Sequence, residues 1–125
     1  PKRIPPVLIV QHIPSGFSKA FAERLNSLCP FEVHEARDGD VVVAGKVLVA
    51  PGGYQMGLKT ENGQLKVSVL DHDPVNRHKP SVDYLFNSAC NITSRKILAV
   101  LLTGMGSDGA KGMKSLKEKV QAVTL

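Results

Sequence analysis

An α/β fold, with a mostly parallel sheet layered between helices and one small antiparallel hairpin inserted, is predicted by three features of this 125-residue sequence. Two apolar runs, residues 7–10 and 97–102, are continuous enough to be strands buried on both faces. Each leads through a polar turn into apolar residues at helical spacing. Between them lie short β-rich runs cut by glycine and proline. The expected architecture is three-layered and Rossmann-like, with helices on both faces of a sheet that residues 1–125 leave incomplete.

Taken in order, the first run ends at Gln11-His12. Pro14-Ser15 then opens a helix whose Phe17, Ala20, Phe21, Leu25 and Leu28 share a face until Cys29-Pro30 stops it. Val41-Val42-Val43 and residues 46–50 read as strands of the antiparallel excursion, halted by Pro51-Gly52-Gly53. Asn62-Gly63 is a hairpin turn, followed by Leu65, Val67 and Val69 alternating with Lys66 and Ser68. Pro80-Ser81 opens a second helix through Val82, Leu85, Phe86 and Ala89, with Ser81 as its cap. After the second run, a third helix sets Met113, Leu116 and Val120 on an apolar stripe.

Composition narrows the function. No stretch nears the roughly 18 apolar residues that cross a bilayer, and the N-terminus lacks a secretory signal, so the expected compartment is the cytoplasm. Cys29 and Cys90 have no metal or redox spacing and read as buried free thiols. The net charge of +5 gathers late, and Lys111, Lys114, Lys117 and Lys119 ring the third helix. With only six aromatics and none among those lysines, nucleic acid is not the expected partner; an acidic protein surface fits better. His72, Asp73 and His78 lack a ligand spacing, so neither a metal nor a cofactor is expected.

His12 and Asp108 each stand just past a buried run, where open parallel sheets gather ligands and catalytic groups. Singly, His12 reads as a turn histidine and Asp108 as the cap of the helix that follows it. Together they form the base and orienter of nucleophilic hydrolysis. Gly104, Gly106 and Gly109 also satisfy GxGxxG between strand and helix, the basis of an alternative nucleotide-binding reading. Asn76-Arg77-His78-Lys79 leads to the second helix and reads either as a carboxylate-binding group or as a solvated loop.

Four separated motifs carry a family resemblance: Gln11-His12-Ile13-Pro14-Ser15-Gly16-Phe17, Val49-Ala50-Pro51-Gly52-Gly53, the segment 76–83, and Thr103-Gly104-Met105-Gly106-Ser107-Asp108-Gly109. In order and type they resemble the catalytic domain of the chemotaxis protein-glutamate methylesterase, CheB. The resemblance implies hydrolysis of glutamate methyl esters, and deamidation of glutamines, on methyl-accepting chemotaxis receptors by a Ser-His-Asp triad. It assigns His12 as base, Asp108 as its orienter and the Met105 backbone N–H to the oxyanion hole, with Thr103, Gly104 and Arg77 lining the cleft. It also implies that the nucleophilic serine follows a strand upstream of Pro1, that the final strands and receiver domain lie elsewhere, and that these 125 residues alone are inactive. A noncatalytic receptor-docking segment is the other alternative.

Overall fold

The computed structural model describes residues 4–92, 95–102 and 107–119, and the backbone of 122–124. β1 (Val7–Ile9), β3 (Lys46–Val49) and β2 (Glu32–Glu35) form a parallel sheet in the order β1-β3-β2. The expected antiparallel role of residues 46–50 is therefore corrected: Lys46–Val49 is the central strand of the parallel sheet. Its Val47-Leu48-Val49-Ala50 is buried on both faces, the pattern of a covered parallel strand. β2 was absent from the expectation, since Glu-Val-His-Glu offers a single buried apolar residue, Val33, on an edge strand.

Alternation divides the core into two layers. Val7, Ile9, Val33, Val47 and Val49 face α1 (Ser18–Leu28), whose Phe21, Ala22 and Leu25 cover them. Leu8, Val10, Leu48 and Ala50 face the opposite way. There they meet Met56 of β4 (Gln55–Glu61), Val67 of β5 (Gln64–Leu70) and Leu85 of α2 (Val82–Ala89). β4 and β5 form the expected hairpin through Asn62-Gly63, both at positive φ, and Glu61 pairs directly with Gln64. The run at 41–43 makes a single bridge from Val41 to Lys66 and buries Val42 in this second layer.

α1 begins at Ser18, not at Ser15. A turn closed by Phe17 N–H on the Pro14 carbonyl comes first, and the Ser18 hydroxyl is buried between Glu35 and the Gly52 N–H. α2 keeps its Ser81 cap. Cys29 and Cys90 are free thiols, only partly buried.

β6 (Ile97–Ala99) pairs in parallel with β7 (Ala122–Thr124), a strand unforeseen in the sequence. α3 (Ala110–Lys119) sets Leu116 against Ala89 and Ala99, with Phe86 and Met113 alongside, and keeps its lysines exposed. Among the described residues β1 pairs only with β3 and β6 only with β7. Their other edges line one apolar groove of about 560 Å³, with Leu58, Leu85 and Phe86 in its floor.

α2 and α3 approach closely at Gly112. A Cβ there would lie 2.6 Å from Phe86 Cβ and 2.8 Å from Asp83 Oδ1. Gly112→Ala is therefore expected to destabilise the protein by about 1–3 kcal/mol through overpacking, despite the better helix propensity of alanine. Urea unfolding checks this, and an unchanged or raised midpoint would contradict it.

Candidate active site

Three chain segments meet beyond the carboxyl ends of the strands. The segment after β1 carries His12, the turn after β3 carries Gly52, and the turn into α3 carries Asp108. Gly52 is required by contact: a Cβ would stand 2.5 Å from the carbonyl oxygens of both Ile13 and Pro14. The histidine segment therefore rests directly on the β3 turn.

His12 Nε2 lies 2.7 Å from Asp108 Oδ2, joining residues 96 positions apart. Asp108 is 7% exposed and accepts from four further donors. Val82 N–H bonds to Oδ2 at 2.7 Å, while Asp83 N–H (3.0 Å), the Ser81 hydroxyl (2.7 Å) and Asn76 Nδ2 (2.9 Å) bond to Oδ1. Asp108 therefore does not cap α3, as its sequence position suggests. It caps α2, using that helix's free N–H groups and positive dipole end. Asp83 returns the arrangement, accepting the Gly112 N–H of α3 at 2.7 Å. Asn76 spends both amide hydrogens bridging the two carboxylates.

Burial alone would raise the pKa of Asp108. The His12 bond, followed by the Asp83 and Val82 N–H groups and Asn76, outweighs it and holds the carboxyl well below the usual carboxylate range. An anionic Asp108 fixes His12 with the proton on Nε2. Nδ1 is then the ring nitrogen free to take a proton from a nucleophile.

A cleft of about 260 Å³ opens beside this pair, with His12, Ile13 and Pro14 on one side and Arg77, His78 and Lys79 on the other. Asn76 and Arg77 are the left-handed central residues of a tight turn, φ 54° and 67°, closed by paired backbone bonds between Val75 and His78. The turn is anchored by buried Gln55, which donates to the Asp73 and His78 carbonyls and accepts the Ser81 N–H. The His78 ring stacks on the His12 ring, centroids 3.6 Å apart and planes 3° from parallel.

The structure thus brings His12 and Arg77 to one cleft, with Asp108 buried behind His12. Thr103, Gly104, Met105 and Gly106 lie outside the described residues. Gly109 is accounted for by packing: at φ 103° its Cβ would meet Leu101 and Val82 side chains at 2.9 Å. With Asp83 already on the α3 N-terminus, this turn does not favour a nucleotide phosphate. Asp83 was missed as a site residue, and the contacts of Asn76 and Ser81 with Asp108 and of His78 with His12 were not foreseen. Ser81 was visible as a cap, and Asn76 and His78 as members of a segment that reads either as a carboxylate-binding group or as a solvated loop. Among the described residues no group of side chains has the make-up of a metal site, and no helix is long and apolar enough to cross a membrane.

The CheB methylesterase family profile matches residues 1–125, and the chain belongs to that family. It is 51% identical over 116 residues to a protein-glutamate methylesterase/protein-glutamine glutaminase of Sulfurimonas denitrificans, covering 93% of this chain and 33% of that protein. A Salmonella typhi protein of the same name is 47% identical, with the same coverage of each chain. The chain thus spans about a third of the length of these curated relatives. The crystal structure of the Thermotoga maritima CheB methylesterase catalytic domain superposes with a TM-score of 0.90 at 40% identity, over 99% of this chain and 66% of that one.

Asp108→Asn places an amide donor among groups that are themselves donors, and is expected to cost about 2–3 kcal/mol. Because the folded pKa lies below the unfolded one, the stabilisation by Asp108 is complete above about pH 4 and is lost as pH falls below it. Urea midpoints between pH 7 and 3 should therefore fall less steeply in the variant. Parallel acid limbs in both proteins would contradict this.

Proposed function

We propose that this chain supplies the histidine and aspartate of a Ser-His-Asp hydrolase that demethylates glutamate methyl esters, and deamidates glutamines, on chemotaxis receptors. The observation that carries the proposal is the 2.7 Å bond between cleft-lining His12 and buried, anionic Asp108. The names of the relatives support the substrate class.

In this mechanism a serine hydroxyl attacks the ester carbonyl and its proton passes to His12 Nδ1. Asp108 stabilises the imidazolium, which returns the proton to the departing methoxide, released as methanol. Water, activated by the same nitrogen, then hydrolyses the acyl-serine to the glutamate carboxylate and free serine. For a glutamine substrate the leaving group is ammonia. The Met105 N–H is assigned to the developing oxyanion, with Gly104 and Thr103 beside it.

The serine is assigned to a strand upstream of Pro1. Among the described residues no hydroxyl is hydrogen-bonded to His12, and the Ser18 hydroxyl is already engaged by Glu35 and Gly52. The apolar groove between the open edges of β1 and β6 has the position and lining to take one more parallel strand, whose end would lie in the same crevice. Arg77 is assigned to the carboxylate side of the reaction. Its left-handed backbone costs about 1 kcal/mol relative to glycine, and the residue lines the cleft.

The 125-residue chain is expected to release no methanol from methylated receptors, and a version extended upstream to match its relatives is expected to do so. In the extended enzyme His12→Ala or Asp108→Asn should lower turnover by about 10⁴-fold. Methanol release by the short chain, or near-normal turnover by a folded Asp108→Asn enzyme, would refute the proposal. Arg77→Gly should raise the melting temperature by a few degrees while lowering kcat/KM, and a lowered melting temperature would refute the account of backbone strain.

A further inference from the structure

His12 sits on a segment without regular secondary structure, and its side chain is 32% exposed. Its one side-chain hydrogen bond among the described residues, to Asp108, pins Nε2 and nothing else. An imidazole held at one vertex can still swing about that contact, and each swing redirects Nδ1. A second constraint is needed to fix the plane of the ring. The parallel stack of His78 at 3.6 Å supplies it.

His78 is built as a platform. Its N–H donates to the Val75 carbonyl at 2.9 Å, and its own carbonyl accepts from Val75 N–H at 2.9 Å and from Gln55 Nε2 at 3.0 Å. Gln55 is fully buried and also holds the Ser81 N–H. The residue that presents the ring is thus tied to the α2 N-terminus on which Asp108 sits. One rigid assembly holds both the vertex and the face of the His12 ring.

We infer that His78 is a positioning residue for the base: its flat ring fixes the plane of His12 so that Nδ1 points at the nucleophile. The inference deepens the esterase reading and rests on it. Flatness is the operative property, because a face-to-face contact selects an orientation that an aliphatic side chain of similar size does not.

The test uses the enzyme extended upstream to its serine, with methanol release from methylated receptor membranes as the assay. His78→Ala is expected to lower kcat by about tenfold or more with KM little changed, the signature of a misaimed group. His78→Phe should recover most of kcat, and His78→Leu should not. Thermal melts identify any variant that fails to fold. In ¹⁵N spectra, His12 should show a single Nε2–H tautomer in the parent and His78→Phe enzymes and averaged ring nitrogens in His78→Ala. Unchanged kcat in folded His78→Ala, or equal recovery by Leu and Phe, would overturn the inference. Full activity in His12→Ala would instead overturn the esterase reading, and the ¹⁵N signature would still decide whether the stack orders the ring.

Discussion

The buried carboxylate of Asp108 is the constraint on which the rest of the site depends. A charge removed from water costs several kcal/mol unless its lone pairs are filled, and here five donors fill them. Four come from the segment 76–83. Meeting that demand forces the turn at Asn76, the cap at Ser81 and the start of α2 into one arrangement. The fifth position is left for His12. Holding the His12 ring and completing the solvation of the carboxylate are therefore the same interaction.

The exchange of caps between α2 and α3 extends the constraint into the core. Each helix has N-terminal N–H donors held by a carboxylate belonging to the other unit, Val82 and Asp83 of α2 by Asp108 and Gly112 of α3 by Asp83. Such an exchange is possible only if the helix starts lie close together, and a side chain at Gly112 would separate them. The apolar contacts of Ala89, Phe86, Met113 and Leu116 follow from that spacing. On the other side of the cleft, Gly52 performs the equivalent task by letting the His12 segment lie on the β3 turn. Two glycines thus set the separation between His12 and Asp108.

How much of this was legible in sequence depended on the range of the interaction. Asn62-Gly63 declares its hairpin because both residues tolerate positive φ, and Ser81 declares its cap because the partner is three residues away. His12 and Asp108 could be paired because each follows a long apolar run and the crevice rule brings strand ends together. The central strand β3 was misassigned because its neighbours, the valines at 41–43 and the hairpin, look equally β-rich, and register with β1 is invisible locally. Edge strand β2 alternates charge around one valine and carries little signal. Which helix Asp108 caps, and which ring stacks on His12, are contacts between segments 26 and 66 positions apart, and no periodicity encodes either.

On the proposed reading, the two halves of the catalytic machinery have unequal structural independence. Orienter, base and the His78 stack are joined by hydrogen bonds and packing within this chain and do not require the nucleophile in order to form. The serine depends on a strand that enters the apolar groove between β1 and β6. A strand gains stability there by covering Leu85 and Phe86 and by pairing two open backbone edges, as parallel strands in covered sheets do. Its burial carries the turn at its end to the crevice. Delivery of the serine is then driven by completion of the hydrophobic core, and alignment of the base by polar bonds around Asp108. Weakening one should leave the other intact, so the fold separates the force that assembles this site from the force that aims it.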